Sequence, residues 1–324
     1  MWIDGHSHHF LSLTGRDDPA REALSAQGLV DGPRNGGLSA IGLVIGGDRA
    51  YATPGTLGPW AGTLDSLDRV LSCIRGQGRL VRPLLSATDL AGGADSGVLL
   101  MLHVEGLLPL FDAPFDDLRI GLRLLHALSV RSIQPIGSPQ TPFLDESGQV
   151  SQAGSQILEE IEQLGMVLDL SHLTGDNDAL MDIAQRSTGP VVISHAVLRR
   201  VHESATGITE NAACAIAETG GLIGLPLGSH HLAGQAGQAS IDDFLTHVDA
   251  LVSLIGIDHV GIGTDWVDPA RLGLPDGIFM EGFTGYGTFG ILEGGLRAHG
   301  YSDTETQTIL GGNWLRVWRK SLEG

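Results

Sequence analysis

The sequence predicts an α/β fold, a closed (β/α)8 TIM barrel. Eight short apolar runs recur along the chain, separated by longer stretches of helical spacing. The runs lack polar alternation, as strands covered on both faces do. The length of 324 residues suits one barrel with loops, and residues 1–324 read as that single domain; such a barrel takes about 250 residues.

The predicted strands are 2–4, 40–45, 99–104, 130–134, 166–170, 191–194, 222–225 and 260–263. Between them, 156–164 places Ile157, Leu158, Ile161 and Leu164 on one helical face. The stretch 241–254 aligns Phe244, Leu245, Val248 and Leu251 in the same way. Residues 303–318 read as one closing helix, with Leu310, Leu315 and Val317 apolar. Segments 16–34 and 269–290 read as loops or lids, the second for its many glycines. The sequence does not choose between a lid and a dimer contact for 269–290.

Composition excludes several classes of function. The net charge is −19, so neither nucleic acid nor anionic membrane finds the basic footprint it needs. No apolar run reaches the length of a membrane span, and no basic segment followed by an apolar one suggests a signal peptide. The two cysteines, Cys73 and Cys214, allow at most one bridge, so a reducing cytoplasmic location is expected. The only lysine is Lys320, near the C-terminus. Schiff-base, P-loop and carbamylated-lysine chemistry all need a lysine inside the site.

The chemistry gathers where a parallel barrel places it, at the C-terminal ends of strands. The first strand runs into His6-Ser7-His8, two imidazoles one residue apart that strand alternation would aim the same way. Neutral imidazole suits zinc and similar metals. The third predicted strand ends in Glu105, the fifth in His172, the sixth in His195 and the eighth in Asp265. A lone residue of this kind is a satisfied polar group or a helix cap. Five strand ends carrying them point to a metal centre. His6 and His8 would hold one ion, His172 and His195 a second, and Glu105 would bridge with its two oxygens. Asp265 remains as general base for the attacking water and proton donor to the leaving amine.

With these motifs the chain resembles the membrane (renal-type) dipeptidases, peptidase family M19 of the amidohydrolase superfamily. The resemblance rests on Asp4-Gly5-His6, Glu105-Gly106, the run from Leu164 to His172, Ile193-Ser194-His195, Gly220 to Gly224, Gly261 to Asp265, and Leu310 to Val317. It implies a binuclear zinc hydrolase of dipeptides, with the ligand set above and a homodimer as the common assembly. The same ligands accept Mn2+, Co2+ or Fe2+.

Three positions depart from the family pattern. His8 stands where the family has an aspartate. Gly137 stands where the family has a histidine that looks toward the reaction intermediate. Thr206 stands where an arginine grips the dipeptide carboxylate, and a hydroxyl cannot make that bidentate charged contact. The metal centre therefore reads as kept and dipeptide recognition as changed. Arg199 or Arg200 could replace the arginine, and His230 or His231 the histidine, while His9 and His103 could support the ligands. The expected substrate is a dipeptide-like small molecule. The alternative is a cyclic amide, a lactone or a modified amino acid on the same centre. A barrel that binds metal without turnover is the third reading, and Asp265 argues against it.

Overall fold

The computed structural model describes residues 1–10, 31–47, 58–76, 80–91, 97–137, 141–173, 178–233 and 239–323. Its strands are β1 (Trp2–Ser7), β2 (Leu38–Gly47), β3 (Val81–Pro83), β4 (Val98–Glu105), β5 (Val130–Gln134), β6 (Val167–Asp169) and β7 (Val191–Ile193). They continue with β8 (Val197–Leu198), β9 (Gly207–Ile208), β10 (Leu222–Leu225) and β11 (Val260–Ile262). The main sheet is parallel, in the order β1-β2-β4-β5-β6-β7-β10-β11. The ends meet through a parallel bridge from Ser7 to Trp266 and a bond from Asp265 N–H to the His6 carbonyl, 3.0 Å.

All eight predicted strands are present. The sequence reading missed β3, which pairs with the first half of β4 before β5 takes over that edge. It also missed the small β8–β9 ribbon. Three or fewer residues carry too little pattern to read as a strand.

Helices cover the outside of the barrel. Gln152–Gln163 starts four residues before the predicted window, because Ser151 Oγ caps it by accepting from Gly154 N–H at 3.0 Å. Ile241–Ile255 matches its prediction closely, behind a capping box of Ser240 and Asp243.

The predicted closing helix is not continuous. It breaks into Asp303–Gln307, a wide turn at Thr308–Gly312, and Asn313–Leu322. Gly311 lies against the backbone carbonyl of Met1, where a Cβ would collide. Asn313 then donates to the carbonyls of Ile257 and Val260 at 2.8 and 2.7 Å. The break turns the last helix under the barrel.

There Trp314 and Trp318, each 1% exposed, pack among Ile3, Ala40, Leu99, Met101, Val167, Val192 and Leu222. The Trp314 ring occupies the room left by Gly5 and Gly261, whose added Cβ atoms would meet it. Its indole N–H donates to the Ile262 carbonyl at 2.7 Å. The N-terminal end of the barrel is thus filled by the chain's own C-terminal helix, and the other end stays free for polar chemistry.

Segment 269–290 is only partly loop-like. Its first half holds a short exposed helix, Pro269–Leu272. Its second half is a packed wall: Ser229 N–H donates to the Ile278 carbonyl and Met280 N–H to that of Leu227, both at 2.8 Å. Phe279 and Phe283 pack on Trp266, and this apolar cluster is why the stretch is not open. Residues 11–30 of the other predicted loop lie outside the described residues, while 31–34 are helical. Among the described residues no helix is long and apolar enough to cross a membrane.

Candidate metal centre and active site

β4 shows how the site is placed. Leu99, Met101, His103 and Glu105 alternate into the barrel, so the strand climbs from apolar filling to buried polar groups. On β1 the inward series is Ile3 and Gly5, and a register irregularity between Asp4 and Ser7 then swings His6 inward. The predicted convergence of His6 and His8, two residues apart, is present, with Nε2 atoms 3.4 Å apart.

The six predicted residues come together. Glu105 Oε2 lies 2.9 Å from His8 Nε2 and 3.5 Å from His6 Nε2. Its other oxygen, Oε1, lies 3.1 Å from His172 Nε2, which is 2.9 Å from His195 Nε2. Asp265 Oδ1 stands 3.3 Å from His8 and 3.9 Å from His6. Among the described residues only three non-glycines have positive φ, and two are His172 (66°) and Asp265 (56°). Such conformations cost about 1–3 kcal/mol each and gather at functional sites.

Electrostatics follow from this crowding. Burial alone would raise the Glu105 carboxyl, but His8, His172 and His6 outweigh it and hold it well below the usual carboxylate range. Asp265 behaves alike: burial pushes up, contacts with His231 and His8 win, and the group stays ionised. Burial and the neighbouring His6 hold His195 well below its ordinary value, so its imidazole is neutral. His172 is pulled down by burial, yet Glu105 raises it overall.

These residues fit a metal. Bonds of about 2.0–2.1 Å in a tetrahedral site put two ligand nitrogens about 3.3 Å apart. The His6–His8 separation matches that edge. Glu105 Oε2 is buried and takes no hydrogen bond of good geometry, although two imidazole nitrogens face it. Donor atoms here lie within 4.8 Å of one another in groups of three. His6, Glu105 and His195 form one such group, and His6, His8 and Asp265 another.

The candidate substrate residues divide. His231 is buried; its Nδ1 lies 2.9 Å from Ser204 Oγ and 3.0 Å from Thr206 Oγ1, and its Nε2 lies 3.9 Å from Asp265 Oδ2. His230 is exposed and packs its ring on His231. Arg199 turns to the Gly207 carbonyl and Glu203, and Arg200 to Glu210 and the Ala250 carbonyl. A Cβ on Gly137 would stand 2.8 Å from Gly106 Cα, so a side chain there needs the backbone to move. Of the proposed supports, His103 Nδ1 meets Ser132 Oγ at 2.7 Å, and His9 packs its ring edge-on to Tyr286.

The sequence reading missed the buried groups beneath the candidate ligands. Asp4 accepts from Thr264 N–H (2.8 Å), Thr264 Oγ1 (2.6 Å) and Tyr286 OH (3.0 Å), tying β1 to the segment that carries Asp265. Burial raises its pKa to about 6 against these bonds. Ser194 Oγ lies 2.9 Å from His6 Nδ1 and 3.0 Å from His195 Nδ1. Asp4, Ser171 and Ser194 all stand within three residues of a predicted ligand, which is the signal that could have found them.

The chain is similar to proteins already known. Residues 60–323 match the family model described as membrane dipeptidase (peptidase family M19). An uncharacterized protein in the pqqA 5' region of Klebsiella pneumoniae is 31% identical over 260 residues, 74% of this chain and 88% of that one. Dipeptidase 3 of Homo sapiens is 25% identical over 210 residues, and the match spans 61% of this chain but only 41% of that protein. Among solved structures, the dipeptidase AC metallopeptidase superposes with a TM-score of 0.82 at 23% identity, covering 100% of this chain and 99% of that one. A metallopeptidase from Rhodobacter sphaeroides, liganded with a phosphinate mimic of the dipeptide L-Ala-D-Ala, gives 0.80 at 24%, with 99% of each chain covered. Both likenesses show a shared fold, and the chain belongs to the membrane dipeptidase family, peptidase family M19, a family of metal-dependent hydrolases.

Proposed function

We propose that this protein hydrolyses an amide bond in a small, dipeptide-like substrate with two divalent ions, zinc first and Mn2+, Co2+ or Fe2+ as alternatives. The observation that carries the proposal is the division of Glu105. One oxygen serves the His6–His8 pair and the other serves His172, beside His195. Only a carboxylate offers two such oxygens, and a single ion does not need both. Bound there, the ions would lower the pKa of a water and polarise the substrate carbonyl.

The chain's own residues supply the rest. Asp265 is ionised and about one-quarter exposed, so it can meet both water and substrate. It takes a proton from the attacking water and returns it to the leaving nitrogen. His231, held by Ser204 and Thr206, presents Nε2 beside Asp265 Oδ2 and is the substrate-side contact of the site.

The phosphinate-bound relative supports a dipeptide as the first substrate to try. A second reading keeps the centre and changes the substrate to a cyclic amide, a lactone or a modified amino acid. Thr206 is committed to His231, Arg199 to Gly207 and Glu203, and Gly137 leaves no room for a side chain. The test is turnover by the zinc-reconstituted enzyme of L,L- and L,D-dipeptides, N-acyl amino acids and lactones, with metal content measured alongside. Dipeptide turnover supports the first reading. Turnover restricted to acyl or cyclic compounds supports the second, and two bound ions without any turnover would refute both.

A further inference from the structure

We propose that one serine hydroxyl, Ser194 Oγ, fixes the tautomer of a ligand from each metal pair and so couples the two metal positions. The inference rests on reading His6 and His195 as ligands, as above.

The hydroxyl directions follow by elimination from a buried carboxylate. Asp169 Oδ1 receives Ser171 N–H and Ser194 N–H, both at 3.0 Å, and meets Ser171 Oγ at 2.7 Å. An oxygen with two backbone donors already on it accepts, so the Ser171 hydroxyl donates its proton to Asp169. Ser171 then has only lone pairs to offer: one takes the His195 N–H at 3.3 Å, and the other faces Ser194 Oγ, 3.1 Å away, so Ser194 donates to it. With its proton spent, Ser194 can only accept from its remaining neighbours. Those are His6 Nδ1 at 2.9 Å and His195 Nδ1 at 3.0 Å. Both nitrogens therefore carry protons, and in a neutral ring that leaves the Nε2 lone pair for an ion.

This is the tautomer that a metal ligand needs, set before any ion arrives. All the groups are buried: Asp169 and Ser171 are 0% exposed, Ser194 2%, His6 0% and His195 1%. Water does not compete for these bonds. The serine is a positioning residue, since it touches no reacting atom. Because its two lone pairs serve one histidine from each pair, losing it disturbs both ions together.

The first test needs neither metal nor variant. Two-bond proton–nitrogen NMR on the metal-free protein, labelled with 15N-histidine, reports which ring nitrogen is protonated. The expected result is Nδ1–H on both His6 and His195. His259, whose Nδ1 faces the Gly221 carbonyl at 2.7 Å, is the internal standard for that pattern. A proton on Nε2 of either ring would overturn the proposal.

The second test is zinc titration by competition against a chelator. Ser194→Ala should weaken both binding steps, each by about 10–100-fold, the usual effect of removing a partner behind a ligand. Ser171→Ala leaves Ser194 free to donate to one ring and should weaken one step. Weakening of only one step in Ser194→Ala would also overturn the proposal. If the wild-type protein binds fewer than two ions, the binuclear reading fails on its own, and the NMR result still decides the tautomers.

Discussion

Asp265→Asn separates chemistry from construction at this site. Residue 265 has a φ of 56°, in the left-handed region that asparagine also tolerates, so the backbone has no reason to move. The amide keeps the shape of the carboxylate and its place 3.3 Å from His8 and 3.9 Å from His231. What it loses is the ability to take up a proton. General-base catalysis contributes about 10²–10⁴-fold, which is about 2.7–5.5 kcal/mol of barrier. The expected outcome is a fall in kcat of that size, with KM and metal content close to wild type. The assay is steady-state hydrolysis of whichever panel substrate the enzyme turns over, with metal analysis of the same sample. A kcat within a few-fold of wild type would refute the role of Asp265 as base. Loss of one metal equivalent would make it a ligand instead.

Thr206→Val removes one of two hydroxyls on His231 Nδ1, and a net hydrogen bond is worth about 0.5–1.5 kcal/mol; kcat/KM should fall by about 2–10-fold, Thr206→Ser should recover it, and metal content should not change. Trp314→Ala empties the barrel floor and leaves the Ile262 carbonyl without its donor; denaturant unfolding should show a loss of about 3–5 kcal/mol, and a loss under 1 kcal/mol would mean that the floor collapses onto the space. His103 has its pKa lowered to about 4 by burial and the nearby His6. A histidine depressed in the folded state is stabilising when neutral, so its contribution is full above about 6.5 and is lost as pH falls toward 4. Asp4, raised to about 6, acts in the opposite sense over part of that window. The clean measurement is therefore a difference: between pH 6.5 and 4 the metal-free wild type should lose roughly 3 kcal/mol more stability than His103→Gln. Parallel curves for the two proteins would refute the assignment.

The strands, their parallel arrangement and the set of titratable residues that meet at one end of the barrel were legible in the sequence. Each of His6, His8, Glu105, His172, His195 and Asp265 follows an apolar run, and a parallel barrel sends the ends of all its strands to one face. That rule needs no coordinates. Tertiary structure decided whatever depends on which side chain meets which across the barrel. The split of the Glu105 oxygens is a distance between strands far apart in sequence. Ser194 looks like any small polar residue until His6 arrives from 188 positions away. Thr206 reads as a lost arginine, and only the contact with His231, 25 positions on, shows what its hydroxyl holds. Trp314 and Trp318 have the spacing of an ordinary amphipathic helix, and periodicity cannot say whether that face meets the outer layer or the barrel's interior. The glycines that admit Trp314 lie on β1 and β11, so closing the barrel is what creates its pocket.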